Sequence, residues 1–326
     1  MNRLVLLSLL LLMVLLAACS DLVTLRADHP IQPVREYERM IVGRLDADYI
    51  GNEQCLSQCH SHDKKLRDFG LSVHGEQIEQ STGLPLVNCE SCHGPGSLAV
   101  ANAAEAKKCD SSTFLPLAEL PSQAKSLICL KCHASSSSSN LQYWKASVHA
   151  NSDVSCMECH KLHLGPQQKV GRKEMDTLCY GCHSEIRAAF SQPSHHPLPE
   201  GKIACIDCHD PHGTPQAHNL KGTTSRETCS RCHMEFQGPF VYEHADVSEN
   251  CINCHTPHGS TSNSLLTSPQ PFLCLQCHAG HLGQDEPSLT DHNFKSTFYG
   301  NCTTCHSAIH GTDVPSAKGR GTFIAR

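Results

Sequence analysis

Along most of the 326-residue chain neither regular hydrophobic rhythm lasts. Apolar residues keep a helical three-and-four step, or a strict alternation, for only short distances. The pattern therefore predicts short α-helices joined by much irregular coil, with little β. One stretch departs from this. From Leu4 to Ala18 the chain reads "LVLLSLLLLMVLLAA", continuously apolar behind Arg3, and it stops at Cys19, Ser20 and Asp21. It is shorter than the roughly 20 residues a spanning helix needs, so it predicts an export signal over 1–18.

The end of that signal, "LAAC", resembles the lipobox of bacterial lipoproteins. The resemblance implies lipidation of Cys19, and Ser20 behind it implies delivery to the outer membrane. No other apolar run is long enough to cross a bilayer. Residues 19–50 form a sparse N-terminal linker.

Beyond it the short segments share one punctuation. Nine copies of CxxCH run from Cys89 to Cys302, as Cys89–Cys92–His93, Cys129–Cys132–His133, Cys156–Cys159–His160, Cys179–Cys182–His183 and Cys205–Cys208–His209, then Cys229–Cys232–His233, Cys251–Cys254–His255, Cys274–Cys277–His278 and Cys302–Cys305–His306. A tenth, "CLSQCH", is irregular: three residues separate Cys55 from Cys59 before His60.

Two kinds of copy alternate. One is followed by a second His after three or four residues, as in "CMECHKLH", "CIDCHDPH", "CINCHTPH" and "CTTCHSAIH"; the other has a short lead, as in "TLCYGCH", "ETCSRCH" and "FLCLQCH". The first kind recurs every 46 to 51 residues, so the fold is expected to be an extended array of two-site repeats. A division is expected at "FSQPSHHPLPEG", giving an N-terminal half over 51–190, a C-terminal half over 191–311, each with five motifs, and a tail over 312–326. The run "SSSSS" from Ser135 to Ser139 reads as a solvated loop.

Composition explains why so many motifs are needed. With 22 Cys but only 5 % aromatic residues, the chain lacks the side chains for an ordinary core of its length. Covalent or metal-bound staples must stand in for it. The net charge of -6 and the lack of a basic block exclude a nucleic-acid surface.

CxxCH is the attachment site of haem c: the two thiols form thioethers with the haem vinyl groups, and the His is the proximal iron ligand. Tetrahedral zinc would leave the His after every second Cys without a reason, and a disulfide framework ignores the histidines altogether. Twenty cysteines supply two for each of ten haems; Cys19 is assigned to the lipid, and Cys109 reads as a buried, inert thiol. In "CLSQCH" the Cys59–His60 adjacency is intact, and residues four apart on a helix are neighbours as residues three apart are. It is expected to be a working site.

The sixth iron position decides between conduction and catalysis. Of 24 His, fourteen lie outside the motifs. His163, His212, His258 and His310 follow a motif His too closely to reach the same iron, so each is expected to ligate a neighbouring haem. His74, His149, His196 and His244 stand upstream of first-kind motifs and complete eight distal ligands. His281, in "CHAGH", is the ninth, and His62 and His292 compete for the tenth place. His29, His195 and His218 read as surplus. Outside the signal only Met40, Met157, Met175 and Met234 remain, so Met ligation could apply to few haems.

In "VHG…NCESCHGPG", "CHDPHG", "EHADVSENCINCHTPHGS", "LCLQCHAGH" and "CHSAIHG" the sequence resembles the decahaem cytochromes of MtrA/DmsE type, over nearly all of the mature chain. The resemblance implies ten bis-His haems forming a wire inside an outer-membrane β-barrel porin. It also implies a periplasmic or inner-membrane cytochrome as electron donor and an extracellular multihaem cytochrome as partner, with no catalysis, and it favours His281 over His292. Three features depart from the family: no His follows the second motif in "GPGSLAVANAAEAKKC", the lipobox is present, and the first motif carries its extra residue. A periplasmic electron buffer without a porin, or a reductase with one open haem, are the competing expectations. No motif replaces its His by Lys, as a catalytic haem often would.

Overall fold

A computed structural model describes residues 32–60, 64–83, 86–106, 110–133, 141–163, 172–244, 250–278, 300–304 and 306–314. The expected signal, Cys19, His29, His62, Cys109, Ser135 to Ser139, His281, His292, Cys305 and most of the tail lie outside these residues.

The chain forms two compact units, 1–169 and 170–326. The division expected at 190/191 falls inside the second unit. There Phe190 is buried and Ser194–His195 pairs with Gly259–Ser260, so this segment holds packing contacts and is not a linker.

The first unit contains α1 (Val34–Met40), α2 (Asn52–Gln58), α3 (Lys64–Gly70), α4 (Glu90–His93), α5 (Ser97–Ala106), α6 (Ser122–Leu130), α7 (Val148–Asn151) and α8 (Cys156–Cys159). The longest has ten residues. Helices this short are not stable alone and depend on what they pack against. The unit's small core joins Tyr37 of α1 and Ile41 just after it to Ala124 and Ile128 of α6, with Leu120 beside them and Cys92 and Met157 at its edge. One motif cysteine, Cys92, thus borders the apolar core.

A buried carboxylate completes the unit. Glu90, within the second motif, accepts from the backbone N–H groups of Ile50 (2.9 Å), Gly51 (2.8 Å) and Gly96 (2.8 Å). Three donors at one anion anchor the chain entering α2, and with it Cys55, to the second motif. Local caps define the motif helices: Glu158 accepts from Ser155 N at 2.8 Å, closing a capping box at the start of α8.

The second unit contains α9 (Arg172–Tyr180), α10 (Ser184–Ala189), α11 (Cys205–Cys208), α12 (Ser225–Ser230) and α13 (Phe272–Leu275). Its two-residue strands β1 (Ser194–His195) and β2 (Gly259–Ser260) pair antiparallel. Three-residue 3-10 turns carry Cys251–Asn253 and Cys302–Thr304. Its buried apolar residues among those described are Phe190, Leu198 and Ala204, too few for a conventional core.

One loop occurs twice. After His209 the chain returns through Ala217–Asn219, with His218 and Asn219 left-handed (φ 58 and 54), to bridge Leu220 with His209. After His255 it returns through Asn263–Leu265, with Ser264 and Leu265 left-handed (φ 58 each), to bridge Leu266 with His255. No helix among the described residues is long and apolar enough to cross a membrane.

Candidate haem-binding sites

Each regular motif folds as one tight turn in which the histidine N–H donates to the carbonyl of the first cysteine. The distance is 3.0 Å for His93 and Cys89, 2.8 Å for His160 and Cys156, 3.0 Å for His209 and Cys205, and 2.9 Å for His306 and Cys302. The irregular motif does the same. His60 N donates to Cys55 O at 3.1 Å, and Cys59 N shares that carbonyl at 3.2 Å, so the extra residue is absorbed within the turn.

Six motif histidines face a second histidine. His74 faces His133 with ring centres 6.1 Å apart, His93 faces His163 at 5.9 Å, and His196 faces His233 at 6.1 Å. His209 faces His258 at 6.1 Å, His244 faces His278 at 5.7 Å, and His255 faces His310 at 6.1 Å. Every pair joins one motif His to one His outside the motifs. Two imidazoles on opposite sides of a metal ion, each bonded at about 2 Å as at other metal–histidine sites, place their ring centres roughly 6 Å apart. The residues present therefore fit an iron between them.

The pairing has a register. His163, His258 and His310 each follow a motif His but face the His two motifs earlier, at positions 93, 209 and 255. His74, His196 and His244 stand before one motif and face the His of the motif after it, at positions 133, 233 and 278. The sequence places such histidines near a motif; the two-motif step to the ring each one faces is visible only in the structure.

Glycines make the approach possible. A Cβ on Gly259, next to His258, would lie 1.9 Å from Ala189 O, and one on Gly75, next to His74, would lie 2.0 Å from Phe69 O. Only glycine lets the backbone pass there, which explains the recurring "HG".

Ring nitrogens facing away from the partner are occupied. His209 Nδ1 lies 2.8 Å from His218 O and His255 Nδ1 2.8 Å from Ser264 O, both carbonyls supplied by the left-handed loops, while His196 Nδ1 meets Pro257 O. Such contacts fix Nδ1 as the donor and leave Nε2 for metal. Burial, with the facing imidazole adding to it, pushes His74, His258 and His310 below the ordinary histidine range, so they are held neutral, as ligands must be. Burial does the same to His93.

His195 has both nitrogens engaged, at 2.6 Å from Gln192 O and 3.1 Å from Glu200 Oε1, consistent with a surplus residue. His149 and His212 are half-buried. No disulfide and no cluster of three or more metal-ligating side chains occurs among the described residues.

Sequence reasoning missed the residues tying motifs together. Three positions before Cys55, Asn52 Oδ1 accepts from Cys89 N at 2.7 Å; three before Cys179, Asp176 Oδ1 accepts from Cys205 N at 3.3 Å. Three before Cys129, Ser126 hydrogen-bonds the Cys156 sulfur. The first cysteines of successive motifs meet, Cys129 with Cys156, Cys179 with Cys205 and Cys229 with Cys251. The constant offset of three, always on the helix leading into a motif, was the available signal.

The family described as a doubled CXXCH motif matches residues 148–188, 195–238 and 244–282, and that of cytochrome c554 and c-prime matches residues 98–161. The chain is 34 % identical over 275 residues to the multihaem cytochrome MtrA of Shewanella baltica (strain OS185), covering 82 % of this chain and 80 % of that relative.

Proposed function

This chain belongs to the MtrA family of multihaem c-type cytochromes, which are electron-transfer proteins, and from that premise we propose that it is a ten-haem conduit between periplasm and cell exterior. The observation that supports the reading is the set of six facing histidine pairs, each spaced so that its two imidazoles would hold an iron between them. Covalent haem supplies a one-electron iron couple. The chain's own residues hold the attachment turns and, at these six sites, orient both imidazoles so that a substrate would find no open position.

In this reading His60 and the nine further motif histidines are proximal ligands. His149, His212 and His281 join the six paired distal histidines, and His62 takes the tenth place. Cys19 carries the lipid that fixes the protein to the outer membrane, facing the periplasm. A β-barrel porin sheathes the chain, because a protein with so little apolar core gains from an insulating wall. The electron donor is a periplasmic or inner-membrane cytochrome and the outer partner a multihaem cytochrome. Reconstitution in liposomes with a porin tests this: an external reductant should reduce an enclosed redox dye. Transfer no faster than with the porin alone would reject the conduit and leave a periplasmic buffer.

A further inference from the structure

One helix position recurs at the junction of paired motifs while its charge does not. Asn52, Ser126, Asp176 and Arg226 each stand three residues before the first cysteine of a motif, on α2, α6, α9 and α12. Asn52, Ser126 and Asp176 reach the first cysteine of the next motif, and Arg226 stands on the helix that packs on the turn carrying Cys251. α6 packs on α8, α9 on α11, and α12 on the Cys251–Asn253 turn.

Asp176 is the charged, buried case, only 4 % exposed. Its Oδ1 lies 3.3 Å from Cys205 N and 3.2 Å from Cys205 Sγ, and Cys205 in turn meets Cys179. Once the Cys205 sulfur is a thioether it has no proton to donate. The carboxylate then keeps its bond from Cys205 N–H, with its charge beside two attachment points. Arg226 is the opposite case. It bridges to Glu243 at 3.2 Å, which offsets part of its charge, and its field reaches Cys251. Asn52 and Ser126 are neutral.

We propose that this position sets the reduction potentials of the haem pair it joins: Asp176 makes the haems at Cys179 and Cys205 harder to reduce, and Arg226 makes those at Cys229 and Cys251 easier. A buried negative charge opposes an added electron, and in the low-dielectric junction its influence is not screened as at a surface. Asn52 and Ser126, being neutral, add no shift from this position, although the first junction has the buried carboxylate of Glu90 close by. The second unit thereby acquires a step between two of its haem pairs, each set by one side chain. The inference rests on the reading of these motifs as haem sites.

The test is a potentiometric titration of the full-length, haem-loaded protein, followed optically. Asp176→Asn keeps the shape and the acceptor atom and removes the charge. It should move two electrons' worth of the curve upward by about tenfold in equilibrium constant, or about 59 mV for a one-electron couple. Asp176→Glu should stay with the wild type. Arg226→Gln should move two electrons' worth downward, by less. Intact mass keeps the two readings apart: absence of haem at these motifs in the wild type would overturn the site assignment, whereas full loading with unchanged or same-direction shifts would overturn this proposal. Should Asp176→Asn lose haem, the direction of the Arg226→Gln shift decides alone.

Discussion

The backbone N–H of His60 donates to the carbonyl of Cys55 at 3.1 Å, the bond that His93 makes to Cys89 at 3.0 Å, although the first motif is one residue longer. The sequence pattern breaks at this place and the turn geometry does not. Replacing both Cys55 and Cys59 by Ala should therefore lower the intact mass of the mature protein by one haem relative to wild type. An unchanged haem mass would show that the first motif never carried one.

Removing a distal imidazole should open one iron. His258→Ala, which deletes the ring facing His209, should convert one low-spin haem to high-spin, with new binding of cyanide or nitrite. His195→Ala, whose nitrogens serve Gln192 and Glu200, should leave the spin state untouched. Electron paramagnetic resonance of the two variants checks the contrast.

Acid should weaken the fold in a defined window. Burial lowers the pKa of His74, His93, His258 and His310 below the ordinary histidine value of 6.5. The unfolded chain therefore binds more protons than the folded one just below that value. Their contribution is fully present above pH 6.5 and is lost as pH falls through the lower folded values. Competition of protons with iron acts in the same direction. The low-spin absorbance should thus be flat above pH 6.5 and fall only in more acidic solution; loss on raising the pH from 6.5 to 8 would contradict the assignment.

Glu90 is the residue whose loss should cost the first unit most. Glu90→Ala leaves the N–H groups of Ile50, Gly51 and Gly96 without their shared acceptor, a loss of about 3 kcal/mol. A lower denaturation midpoint for Glu90→Ala, with Glu53→Ala, at an exposed position of α2, near wild type, is the expected result of urea titration.

What the sequence made legible follows from where the information lies. Haem attachment needs three residue types at fixed spacing, so the motifs stand out, and histidines near a motif announce a neighbouring site. The pairing of His258 with His209 across two motifs does not follow from local spacing, because it depends on how β2 lies against Ala189 and Phe190. The same holds for the boundary of the units: "FSQPSHHPLPEG" has the Pro and Ser content of a linker, yet Phe190 packs at 5.4 Å from His258 and His195 pairs with Gly259. Nothing in the sequence pattern marks Asp176 or Glu90 as buried. Only their burial reveals that each joins two motifs.

The central claim is that paired histidines occupy every iron. Low-temperature electron paramagnetic resonance of the fully oxidised, ten-haem protein tests it most directly. The account predicts low-spin ferric signals alone, with no change on adding nitrite or cyanide; a high-spin signal amounting to one haem per chain and responsive to those ligands would contradict it.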